Sequence, residues 1–73
     1  MLYYGYIITQ GKRAVVIQTK EGPQYYALLE DVAPQALEET WVTVRFRVDR
    51  TKWEGRTHAG PRYHAYDVDL VHF

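Results

Sequence analysis

From Thr40 to Asp49 the chain reads Thr-Trp-Val-Thr-Val-Arg-Phe-Arg-Val-Asp. Val42, Val44, Phe46 and Val48 alternate with Thr43, Arg45, Arg47 and Asp49, and a period of two predicts a half-buried β-strand. One face offers four β-formers to a core. The other carries Arg45 and Arg47, about 7 Å apart along a strand. A chain organised around such a segment is directed towards a β-fold whose outside is free to meet an anionic partner.

The rest of the chain must supply strands for it to pair with. Leu2 to Thr9 is aromatic and β-branched, with Gly5 marking a bulge, a bend or a close backbone approach. Gln10-Gly11-Lys12 predicts a tight turn, and Arg13 to Thr19 a second strand hairpinned to the first. Lys20-Glu21-Gly22-Pro23 predicts another turn, followed by a third strand from Gln24 to Leu29. Glu30 to Glu39 breaks the rhythm. Asp31 is placed to cap a short turn, Pro34 suits a first helical position, and Ala36 to Glu39 has local helical preference, so a loop with one helical turn is expected. Val32 and Leu37 are expected to plug the core from it. Arg50 to Pro61 has two glycines and a proline with little periodicity, which predicts a mobile loop or a protruding hairpin tip. Arg62 to Val71 closes the chain as a fifth strand, with Tyr66, Val68 and Leu70 expected on one face and Asp67 and Asp69 on the other.

With 73 residues this is a single small domain, and at that size only about 60% of the unfolded surface is buried. Its 15% aromatic content compensates, since each ring buries roughly 150–250 Å². Five short strands, with a longer connection after the third, predict an all-β fold: a small five-stranded antiparallel barrel, whose closure removes aggregation-prone edges. An OB-fold fits best, and an SH3-like barrel is the alternative.

The order of features also resembles a cold-shock-type OB domain across nearly the whole chain. Gly5-Tyr6-Ile7 looks like that family's opening Gly-x-Val, and Ala36-Leu37-Glu38-Glu39 like its Leu-Glu-Glu. Val42 to Val48 is similar to its Val-x-Phe-x-Val strand, and Gly60-Pro61 with Ala65 and Val68 to its closing Gly-Pro-x-Ala-x-x-Val. The resemblance implies the fold and, for the family, binding of single-stranded RNA through aromatic side chains. Those aromatics largely fail to carry over. Ala14 and Val16 stand in the first RNA-binding motif, Leu28 and Leu29 in the second, and Thr9 at the strand-one tryptophan position. Only Tyr26 remains as a stacking residue, and each lost stack removes about 1–3 kcal/mol per base.

Charge and composition narrow the function. Formal net charge is zero, which argues against coating nucleic acid by bulk charge. Locally, however, Arg45, Arg47, Arg50, Lys52, Arg56 and Arg62 face only Asp49 and Glu54 along the sequence, while other acids gather at Glu30, Asp31, Glu38, Glu39, Asp67 and Asp69. Together with Trp53, Tyr63, Tyr26, Lys12 and Arg13, these cations form the candidate nucleic-acid-binding set, cations for phosphates and rings for bases. The competing reading is a solvated strand face whose arginines pair with Glu54, Asp67 and Asp69. The seven tyrosines divide similarly between barrel packing and an exposed contact surface.

Catalysis finds little support, because the chain has neither Ser nor Cys to act as a nucleophile and no Gly-rich phosphate loop ahead of a helix. His58, His64 and His72 with Asp67 and Asp69 do not converge as metal ligands, so no metal and no cofactor is expected. The lack of cysteine, of a leader and of any run near 18 apolar residues predicts a cytoplasmic protein without membrane contact. The missing Asn and Ser, with abundant Arg and Glu, lean towards a thermophile. Two functions are expected: a non-enzymatic module binding single-stranded RNA or DNA, or a small protein-interaction barrel that docks on a larger assembly. The chain acts as a monomer or homodimer in either case.

Overall fold

The computed structural model describes residues 1–38, 41–55 and 60–71, and in it the alternating segments become five strands. These are β1 (Tyr3–Gln10), β2 (Ala14–Gln18), β3 (Gln24–Leu28), β4 (Thr43–Glu54) and β5 (Arg62–Leu70). They close in the order β1-β2-β3-β5-β4. Four of the seams are antiparallel, whereas β3 and β5 run parallel through Tyr25↔Tyr63 and Tyr26↔His64. The chain is therefore an all-β, five-stranded closed barrel of OB type, with one parallel seam in place of the wholly antiparallel arrangement expected. Among the described residues no helix is long and apolar enough to cross a membrane.

Alternation builds the core directly. Val15 and Ile17 on β2, and Val44 and Phe46 on β4, are fully buried, while the residues between them face outwards. Burying each of these larger side chains contributes about 1.5–3 kcal/mol. Phe46 packs against Tyr3 and Tyr25 at centroid distances of 5.9 and 5.3 Å, which sets an aromatic cluster near one end of the barrel. Gly5 permits the wrap. A Cβ there would meet the Gln18 carbonyl oxygen at 2.5 Å, so the glycine marks a close strand approach.

Between β3 and β4 lie two 3₁₀ turns, Leu29–Asp31 and Pro34–Leu37, so Leu29 leaves the third strand. Pro34 opens the second turn, as its missing N–H favours. Val32 plugs the core as expected, but the fully buried plug of the second turn is Ala36, with Leu37 only packed against the margin. Asp31 makes no cap. Its carboxylate instead accepts a hydrogen bond from His64 Nε2 at 3.0 Å.

Three further expectations change. The β4 strand begins at Thr43, because Trp41 sits at φ 64°, a left-handed conformation that interrupts an extended segment. It then runs on to Glu54, so the first five residues of the expected loop after Asp49 are strand. In β5 the faces switch at Asp67, where φ is 53° and the pairing jumps from Arg45↔Asp69 to Arg47↔Tyr66. The extra residue of this bulge turns Ala65 and Val68 both inwards. Tyr66 consequently lies with His64, at 6.1 Å between rings, and shares no face with Val68.

Candidate nucleic-acid interface

The strand directions sort the candidate residues into separate places. The β2–β3 turn and the start of β5 share one end of the barrel with the end of β4, as the pairs Gln18↔Gln24, Tyr25↔Tyr63 and Glu54↔Arg62 require. The β1–β2 turn, which carries Lys12 and Arg13, lies at the other end beside the first 3₁₀ turn, where the Leu29 amide donates to the Arg13 carbonyl. Lys12 and Arg13 are exposed there and do not join the rest of the set.

At the first end is a mouth of about 680 Å³, lined by Glu21 to Tyr25 on one side, Gly60 to Tyr63 on the other, and Arg50. Arg50 occupies it because β4 leaves register with β5. Asp49 pairs with His64, yet the next pair is Trp53↔Tyr63, so Arg50, Thr51 and Lys52 form a bulge. Asp49 holds that bulge: its Oδ1 accepts from the Thr51 hydroxyl at 2.6 Å and the Thr51 amide at 3.0 Å. These two bonds, the hydroxyl foremost, pull the Asp49 pKa below the usual carboxylate value.

Within the mouth the Arg50 guanidinium donates to the Tyr3 hydroxyl at 3.1 Å and covers the Tyr63 ring at 5.1 Å. The Tyr3 hydrogen bond is the main cause of a raised Arg50 pKa, so the cation is firmly charged. Arg62 is largely buried and already engaged, donating to Glu54 at 3.3 Å and to Gln24 at 3.1 Å. Trp53, the cross-strand partner of Tyr63, is 59% exposed, and Lys52 is exposed on the bulge. Tyr63 itself packs partly against the core, so its ring is held in place. Arg56 lies outside the described residues.

Arg45 and Arg47 are elsewhere, on the outer face of β4. They border a second groove of about 670 Å³ together with Glu30, Asp31, Asp67 and Asp69. Arg45 stands opposite Asp69, and Arg47 Nε lies 3.7 Å from Asp67 in an exposed, weak pair. Four carboxylates against two guanidinium groups repel a phosphate chain. Here the competing reading, a solvated and paired strand face, describes the geometry.

Tyr26 faces outwards on β3, 5.4 Å from the His64 ring, and not towards the mouth. Its pKa is raised, first by burial and then by the charges of Glu54 and Asp49. Ala14, Val16 and Leu28 share this outer sheet surface, which makes it aliphatic where a stacking surface was sought. Around the barrel from it, Trp41 is 66% exposed and tilted against Tyr6 at 5.3 Å, with Tyr4 also exposed.

Sequence reading missed Gln24 as part of the mouth, Tyr3, Asp49 and Thr51 as the groups that hold Arg50 in it, and the pairing of buried His64 with Asp31. Asp-x-Thr is a local hydrogen-bonding pattern that points to a turn, and was the available signal for the bulge. No protein-family model matches the chain, and neither a curated protein nor a solved structure matches it.

Proposed function

We propose that the chain is a non-enzymatic, cytoplasmic module that binds single-stranded nucleic acid at the barrel mouth. The observation that carries this is the grouping of Arg50 over Tyr63, beside an exposed Trp53 on the paired strand. A guanidinium for a phosphate next to rings for bases is the combination single-strand binders use. The outer face of β2 and β3 offers one ring, Tyr26, among the aliphatic Ala14, Val16 and Leu28, so the contact belongs at the mouth and not where a cold-shock-type domain would make it.

Titration of fluorescent single-stranded DNA and RNA at low salt tests the reading. Trp53→Ala is expected to weaken binding by one stack, about 1–3 kcal/mol, without unfolding the barrel. A complete lack of binding to either polymer removes the proposal.

A second reading draws on the exposed Tyr4 and Trp41 rings with the half-buried Tyr6 between them, a composition typical of protein contact surfaces. Trp41→Ala separates the two. It leaves oligonucleotide binding intact under the first reading and abolishes a protein contact under the second.

A further inference from the structure

Resting on the single-strand reading, we propose that the mouth takes one or two nucleotides at a strand terminus and is no track for a long strand. Four observations converge on this. The floor is closed: Tyr25, which lines the mouth, is a core residue only 4% exposed, so the depression ends against the barrel interior. The volume of about 680 Å³ falls in the range of small-ligand sites and suits a nucleotide or two.

Of the cations described at this end, only Arg50 and Arg62 line the mouth, with Lys20 and Lys52 exposed outside it. Arg50 has no carboxylate partner among the described residues, while Arg62 is shared with Glu54. Glu21 on the lip adds negative charge to the rim. Beyond the mouth, Arg45 and Arg47 are matched by acids, and Lys12 and Arg13 are at the far end of the barrel. Stacking has the same small capacity, with one cross-strand pair of rings, Trp53 and Tyr63. Two rings and one or two phosphate contacts describe a site for a chain end.

The test is a length series of terminally phosphorylated oligo-dT and oligo-U, from dinucleotide to dodecamer, titrated into the full chain with tryptophan emission as readout. Affinity is expected to be level already from two nucleotides onwards. The slope of log K against log salt should be about −1, as one to two phosphates on a single strand require. A circular dodecamer, which has no end, should bind at least tenfold more weakly than the linear one. Affinity that keeps rising with length, a slope near −4, or equal binding of circle and line overturns the terminus site while leaving single-strand binding standing. No binding at any length overturns both.

Discussion

The Arg50 guanidinium lies 5.1 Å from the centre of the Tyr63 ring, and a three-residue bulge puts it there. Arg50→Lys keeps the charge but loses the planar fork that reaches Tyr3 and covers Tyr63 together. Oligonucleotide affinity is expected to fall severalfold with Arg50→Lys and about tenfold or more with Arg50→Ala. Thermal unfolding should barely change for either, because the side chain is exposed. Equal affinity of all three proteins would place the ligand elsewhere.

Asp49 answers to pH through Thr51. Its folded pKa is depressed, so its contribution to stability is fully present above the unfolded carboxylate value of about 3.9. That contribution is lost as pH falls through the lower folded pKa. Thr51→Ala removes the hydroxyl that contributes most to the depression, so the Asp49 pKa should move up towards its unfolded value. An NMR titration of the Asp49 carboxyl carbon measures this, and an unmoved midpoint contradicts the hydrogen-bond cause.

The His64 ring is buried, its Nε2 bonded to Asp31 and its Nδ1 without a partner among the described residues. Asp31→Ala strands the second nitrogen as well, which should cost about 1–3 kcal/mol in chemical denaturation. The loss should be accompanied by faster hydrogen exchange at the Val32 amide, whose bond to Leu29 closes the first 3₁₀ turn.

Phe46→Ala empties the centre of the Tyr3–Tyr25 aromatic cluster. Large-to-small changes of this kind cost about 3–5 kcal/mol. A domain with roughly 0.05–0.15 kcal/mol of stability per residue has little to spare. Urea unfolding should show a sharply lowered midpoint, corresponding to a loss of about 3–5 kcal/mol.

Gly5→Ala inserts a methyl group 2.5 Å from the Gln18 carbonyl oxygen and 2.9 Å from Ile17 Cγ2. The neighbours are backbone and core, so β1 and β2 must separate. Overpacking of this sort costs about 1–3 kcal/mol, readable as a drop in Tm by circular dichroism.

What sequence could and could not reveal follows from the range of each interaction. The Val44–Val48 alternation and Pro34 act on their own neighbours and came out where local chemistry put them, whereas Gly5 was legible as a close approach but its partner Gln18, across the sheet, was not. Val32 was legible as a plug because it is the first β-branched residue after a break in strand pattern. The switch of faces at Asp67 was not, since nothing in Tyr-Asp-Val-Asp distinguishes a left-handed aspartate from an extended one. The candidate site was legible as a list of charges but not as a place. Whether Arg45 meets a phosphate or Asp69 depends on which strands become neighbours, and that is decided across the barrel. The same holds for His64 and Asp31, separated in sequence by the second 3₁₀ turn and β4.

Two ladder pairs, Tyr25↔Tyr63 and Tyr26↔His64, join the backbones of β3 and β5. The meander β1–β2–β3 and the hairpin β4–β5 can each zip locally, so this short parallel seam works as the buckle of a belt. The mouth lies astride it, and the Arg62–Gln24 hydrogen bond already spans the two sides. Anything lodged between those lips would tighten the buckle and so stiffen the entire hoop. By mass action, an occupant at a hundred times its dissociation constant adds about 2.7 kcal/mol to the folded state. In so small a cylinder, occupancy and cohesion are two readings of one gauge.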